Sequence, residues 1–389
     1  MEILEIAKYE FLLLIRSIRF KIMTFFYLII IGLLNVGIAF LNRNGASPMI
    51  ASLAGFAPYV SSFLFSLISA FTIPFIIGNF LIDDKKTRVN EVIYSKPVSN
   101  LKYVMGKFIG SILTLITISL IIIFISSVIQ ITIAVRPYRI VPYITSLLLI
   151  CLPTIIFLSG LVFALNFILK NRFIVFLIVV GFSIFSIFII GDKGFRLIDF
   201  SATTLPLNPS DIMGYGNINN EIMQRTAYIF IGLSLIFLSA VFPFRLSESR
   251  FLSLKMLIIS VVIALIPVFL FKSILNNIYK DKQTRINILT AHNKYSEFPL
   301  IKVIHYDMNI KLFPSNHRLK ADVKMTVLFP QENIKKAIFV LNSGLKITRL
   351  TDKNGSDIPY EREYSILAVD VKTLNNPPEQ INISYEGKI

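Results

Sequence analysis

Apolar runs of about 18 to 30 residues follow one another as far as about Leu275, each long enough to cross the hydrocarbon of a bilayer. They read as about seven spans: Phe20–Leu41, Tyr59–Ile82, Leu101–Val135, Tyr143–Leu169, Phe173–Ile190, Thr226–Phe244 and Met256–Leu275. A chain so built must be a polytopic membrane protein. Composition agrees, with 54% hydrophobic and only 16% charged residues. The net charge of +16 therefore predicts no nucleic-acid partner; excess Lys and Arg here orient the chain and meet anionic lipid. One cysteine, Cys151, lies within an apolar run, so no internal disulfide can form.

Residues 1–20 read as an amphipathic interfacial helix, with Glu2, Glu5, Arg16 and Arg19 set against Leu4, Ala7, Phe11, Leu14, Ile15 and Ile18. Glu2, Glu5 and Glu10 among the apolar residues, with no small-residue cleavage site after them, argue against a cleaved signal peptide. Placing the N-terminus in the cytoplasm puts fifteen Lys and Arg on inner segments and six on short outer loops, Arg225 among the latter. That excess favours the assignment, and seven spans then leave the tail outside.

The stretch Asp83–Lys107 has the densest motif, carrying Lys85, Lys86, Arg88, Lys96, Lys102 and Lys107. Its first part has helix-forming composition. Pro97 stops that helix and holds Lys96 extended. Ser99 or Asn100 can cap the helix that enters the next span. Gly106 and Gly110 give a small-xxx-small spacing suited to close helix packing.

Asp84, Arg88, Glu91, the run Ser95-Lys96-Pro97-Val98-Ser99, and Tyr103-Val104 with Gly106-Lys107 together resemble the loop between the second and third spans of ABC transporter permeases of the type-2 exporter class. The resemblance implies a permease subunit of an ATP-driven exporter in the bacterial cytoplasmic (inner) membrane. It implies a separate ATPase subunit docking on residues 83–107 through Asp84, Arg88, Glu91, Ser95, Pro97, Tyr103 and Lys107. It also implies a homo- or heterodimer of permease halves. The alternatives are a membrane-anchored aminopeptidase-like protein lacking its catalytic part, and a tether presenting a β binding module.

Polar residues within spans are few: Asn35, Asn79, Gln130 and Asn166. Interhelical hydrogen bonds are the favoured reading, and a lining for a substrate path the other. With no acidic residue mid-span to carry a proton or sodium cycle, an external energy source fits better.

From about Asn276 the composition turns polar. Residues 276–298 read as a linker and 299–389 as an extracytoplasmic antiparallel all-β domain. Period-two alternation predicts strands at Val303–Leu312 and Arg318–Phe329. Further strands are expected at Ala337–Leu341, Lys346–Leu350, Tyr364–Val371 and Gln380–Tyr385, with a turn at Asn354-Gly355.

Tyr306–Leu312, Phe339–Ile347 and Ile383–Ile389 resemble the opening β domain of the aminopeptidase N family. That family's zinc motif is H-E-x-x-H, and here His292, His305 and His317 are each followed by a residue other than Glu. The resemblance thus carries no peptidase activity, and its break at Ile389 reads as a fragment of a longer fusion. The sequence holds no P-loop. It predicts no catalytic residue, no metal site and no cofactor in this chain.

Overall fold

The structure is a computed structural model that describes residues 2–44, 54–78, 98–133, 138–193, 196–203, 205, 207–210, 214–242, 250–298, 301–328, 336–370 and 380–388. Two compact units emerge, 1–211 with 217–274, and 212–216 with 275–389.

The first unit is helical. Helix α1 (Glu2–Arg16) has Glu2 and Glu5 in its first turn and Arg16 in its last, charges that suit the helix dipole. It ends at Ser17, whose backbone is extended and whose hydroxyl accepts from the Phe20 N–H to cap α2 (Ile18–Arg43). α3 (Phe56–Ile77) and α4 (Asn100–Thr132) follow. Ser99 caps α4 by accepting from the Lys102 N–H. Next come α5 (Ile140–Ser146), a widened π turn (Leu147–Cys151) and α6 (Leu152–Leu169), which together make one apolar rod. α7 (Arg172–Lys193), α8 (Asn219–Ser239) and the start of α9 (Arg250–Lys294) complete the unit. Among the described residues, 6 helical stretches are long and apolar enough to cross a membrane, and a shorter apolar helix, Arg172–Phe188, accompanies them. α6 and α8 approach until a Cβ on Gly160 would lie 2.4 Å from the Gly232 carbonyl oxygen, so only glycine fits at that crossing.

Several boundaries differ from the sequence reading, among them the start of α9, at Arg250 and not at Met256. α8 begins at Asn219, a turn or more before the expected Thr226, and so takes Arg225 out of the outer-loop charge count and into a helix. Hydropathy ends a span at a charge; here the charge is satisfied inside the protein. The expected linker at 276–298 is helical as far as Lys294. Alternating Lys, Asp and Arg changed the composition there, yet neither Pro nor Gly interrupts 276–294, and solvated charges continue a helix readily. α9 is 45 residues long, or about 67 Å at 1.5 Å per residue.

The second unit pairs a four-stranded sheet, in spatial order β1-β2-β7-β4, with a three-stranded sheet, β3-β6-β5. The strands are β1 (Lys302–Phe313), β2 (Arg318–Leu328), β3 (Lys336–Val340), β4 (Leu345–Asp352), β5 (Tyr360–Glu363), β6 (Ile366–Asp370) and β7 (Gln380–Lys388). Each pairing is antiparallel. Ala321, Val323, Met325, Val327, Leu350, Ile381 and Ile383 meet Ala337, Leu367 and Val369 in the core. The expected strand Tyr364–Val371 starts two residues late, because Tyr364 takes the left-handed backbone (φ 52°) that turns β5 into β6. The Asn354-Gly355 turn links β4 to β5 across the two sheets; the Asp352 carboxylate accepts from the N–H groups of Asn354 and Ser356, and Gly355 supplies φ 87°. The last turns of α9 rest on this domain through Asn287 to Tyr364, His292 to Ser365, and Lys294 to Glu363. The Glu361 carboxylate, 2.6 Å from the Lys336 ammonium, holds that group's pKa above its ordinary value.

Candidate functional site

The first site is a clamp between α1 and α4. Gly106 and Gly110 stand on the α4 face that α1 crosses. A Cβ on Gly106 would sit 2.6 Å from the Ile6 side chain, and one on Gly110 2.6 Å from the Ala7 carbonyl oxygen. The missing side chains let the two backbones come close. One turn of α1 beyond Ile6, the Glu10 carboxylate reaches the Lys107 ammonium at 2.7 Å, with the two side chains 3% and 4% exposed. The Tyr103 ring lies 5.9 Å from that ammonium and adds a cation–π contact. Near the helix start, Lys102 binds Glu2 at 2.8 Å. This outer pair is half exposed, so solvent screens it, although the Lys102 hydrogen bond and charge still hold the Glu2 carboxyl below the usual carboxylate range. Glu10–Lys107 is a different case. Breaking a buried pair from one side costs about 3–5 kcal/mol, because the partner is left as an uncompensated charge.

The second feature is a node around Arg225, which is 1% exposed. All five of its N–H donors are used. Nε donates to the Leu149 carbonyl at 2.7 Å, and Nη2 to the Ile150 carbonyl at 3.2 Å and to Thr154 Oγ1 at 2.9 Å. Nη1 donates to the Phe200 carbonyl at 2.8 Å and the Asp199 carbonyl at 3.4 Å. Leu149 and Ile150 lie in the π turn, a local defect in the helical ladder. Asp199 and Phe200 lie in the irregular segment that follows α7. Gln224 binds the same Asp199 carbonyl, and the Tyr228 hydroxyl donates to the Leu197 carbonyl. Buried backbone outside a regular helix needs its polar groups satisfied by protein, and Arg225 does this together with Thr154, Gln224 and Tyr228. Its donors are saturated, so it has none to offer a transported anion.

Two of the polar residues within spans, Asn35 and Gln130, bond beyond their own helices. Asn35, Ser61 and Ser126 form a hydrogen-bonded triangle that ties α2, α3 and α4. Gln130 donates to the Ala54 carbonyl and accepts from Tyr143. Tyr27 on α2 hydrogen-bonds with Thr72 on α3 at 2.6 Å. Asn166 donates to Val162 in its own helix. Asn79 lies outside the described residues.

Of the residues expected to touch an ATPase, Asp84, Arg88, Glu91, Ser95 and Pro97 lie outside the described residues. Tyr103 and Lys107 are described and are buried, 8% and 3% exposed. Their side chains meet α1 and the body of the bundle. A motif read along the chain does not tell which side of a helix such residues occupy. In the β domain, His305 is exposed on β1, and His317 holds a left-handed turn (φ 49°).

The family described as ABC-2 family transporter protein matches residues 45–247, more than half of the chain. The chain belongs to the ABC-2 transporter family. The matched residues include α3 through α8, the stretch of chain ahead of α4 and the Arg225 node. Membership makes the chain a membrane component of an ABC transporter. The β domain lies beyond the matched residues, so the likeness to the aminopeptidase N opening domain gains nothing from this match. No curated protein matches the sequence.

Proposed function

We propose that this ABC-2 protein is the membrane-spanning half of an exporter, driven by a separate ATPase subunit that docks on residues 83–107. The N-terminus faces the cytoplasm of a bacterium and the β domain the outside. A second permease half, identical or related, completes the pathway. The observation that carries this reading is the clamp directly behind the loop. A docking loop transmits force only if the helix it feeds is stiffly held, and α4 is fastened to α1 by a glycine seam and the buried Glu10–Lys107 pair. Asp84, Arg88, Glu91, Ser95 and Pro97 form the contact in this account, and Tyr103 and Lys107 brace it from behind. ATP hydrolysis belongs to the partner.

The test is co-purification from membranes. An ABC ATPase, identified by mass spectrometry through its P-loop peptide, should be recovered with the wild-type chain. The Arg88→Ala/Glu91→Ala double variant should insert normally and recover at least about tenfold less, as truncated interface charge pairs cost about 2–5 kcal/mol. Undiminished recovery with full transport-linked ATP hydrolysis would refute the docking role.

A further inference from the structure

β1 is an edge strand, hydrogen-bonded among the described residues to β2 alone. It is 12 residues long and contains no proline, and its one irregularity lies near its start, between Val303 and His305, so the stretch from Tyr306 onward is an open edge. Its inner face is unfinished. Tyr306, Met308, Ile310 and Leu312 stand opposite Met325, Val323, Ala321 and Leu319 of β2, and so share the face that carries the core. The β2 residues Met325, Val323 and Ala321 are buried, whereas Tyr306, Met308, Ile310 and Leu312 remain 50, 53, 48 and 47% exposed. The second sheet stops short of them.

The other face of β1 says what completes it. Asp307, Asn309 and Lys311 alternate there, and neither Asp307 nor Lys311 has an ion pair among the described residues. Lys311 stands directly opposite Lys320 in the ladder, an unfavourable like-charge pair. Set a second β1 antiparallel beside the first with Asn309 facing Asn309. Asp307 of each copy then faces Lys311 of the other, twice over. On the inner face Tyr306 meets Leu312, and Met308 meets Ile310. Moving the centre by one residue puts Asp307 opposite Asn309 or Phe313 and loses both charge pairs. A centre between two residues sets apolar side chains against polar ones.

We propose that β1 is a homodimerisation edge, pairing antiparallel with β1 of a second copy of this chain in the register centred on Asn309. The two four-stranded sheets then continue as one, and the half-exposed apolar rows extend each other.

Disulfide trapping in the full-length chain tests this, with the native Cys151 buried in the helical unit. Residues directly opposite have Cα atoms about 4.5–5.5 Å apart, within disulfide reach. Asn309→Cys should form an intermolecular disulfide under mild oxidation in native membranes. Asp307→Cys or Lys311→Cys alone should not, because like positions then lie about 13 Å apart, but the two variants co-expressed should cross-link with each other. In the Asn309→Cys background, Lys311→Asp should cut the yield about tenfold, and adding Asp307→Lys should restore it. No disulfide at 309, equal trapping at 307 with itself, or a 309 adduct only to a different protein would each overturn the proposal.

Discussion

Lys107→Ala alone should be among the most damaging single changes in the helical unit. It strands the Glu10 carboxylate, 2% exposed, against α4. The expected loss is about 3–5 kcal/mol. Thermal unfolding in detergent should show it, as should exposure of the seam: a cysteine placed at Ala7, itself 2% exposed, should become reactive to a thiol reagent. The double variant Glu10→Leu/Lys107→Met should recover most of the stability, since apolar residues of similar volume often replace a buried pair at little cost. Full stability of Lys107→Ala would mean that the pair is solvated, where such contacts are worth less than about 1 kcal/mol.

Arg225→Met should be at least as severe. It takes a donor from four carbonyls in two irregular segments, those of Leu149, Ile150, Asp199 and Phe200. Asp199 keeps Gln224, while Ile150 and Phe200 must share the one Thr154 hydroxyl proton, which leaves Leu149 and one of those two without a side-chain donor. Each buried carbonyl left unsatisfied costs about 1–3 kcal/mol, and a total above about 4 kcal/mol is in the exceptional range for one substitution. The apparent Tm should fall by roughly 10 °C. Arg225→Lys keeps the charge but cannot span Leu149 and Phe200 at once, so it should land between the two. A wild-type Tm for Arg225→Met would show that water or backbone rearrangement satisfies those carbonyls. An Arg225→Met chain that is stable but inactive would reassign Arg225 to substrate handling.

The sequence revealed what depends on local pattern. Apolar runs marked the helices, and strict alternation located β1 and β2, because a face half in water leaves a period-two signature. The cap of α4 was legible as Ser99 or Asn100, because the residue types that cap a helix are few, and it is Ser99. What needed the third dimension was missed. Glu10 was visible as an acid on an amphipathic helix and Lys107 as the end of a loop motif, yet their pairing joins residues about a hundred positions apart. Arg225 looked like a loop charge because its compensation comes from the π turn and from the segment after α7, and neither leaves a trace in hydropathy. The sequence does carry one signal for this: Glu221, Gln224 and Arg225 precede the apolar run at helical spacing and extend α8 backwards. The half-exposed β1 row was also beyond reach, since alternation predicts a buried face without saying what covers it.

If an ATPase docks on residues 83–107, as proposed, it lies within reach of Glu91 and away from the β domain. The direct measurement places a photo-activatable cross-linking residue at Glu91 or, in a separate chain, at Lys353 of the β domain, and irradiates membranes that contain the ATPase. A cross-link to the ATPase is expected from position 91 and none from position 353. No adduct at 91, or equal adducts at both positions, would contradict it.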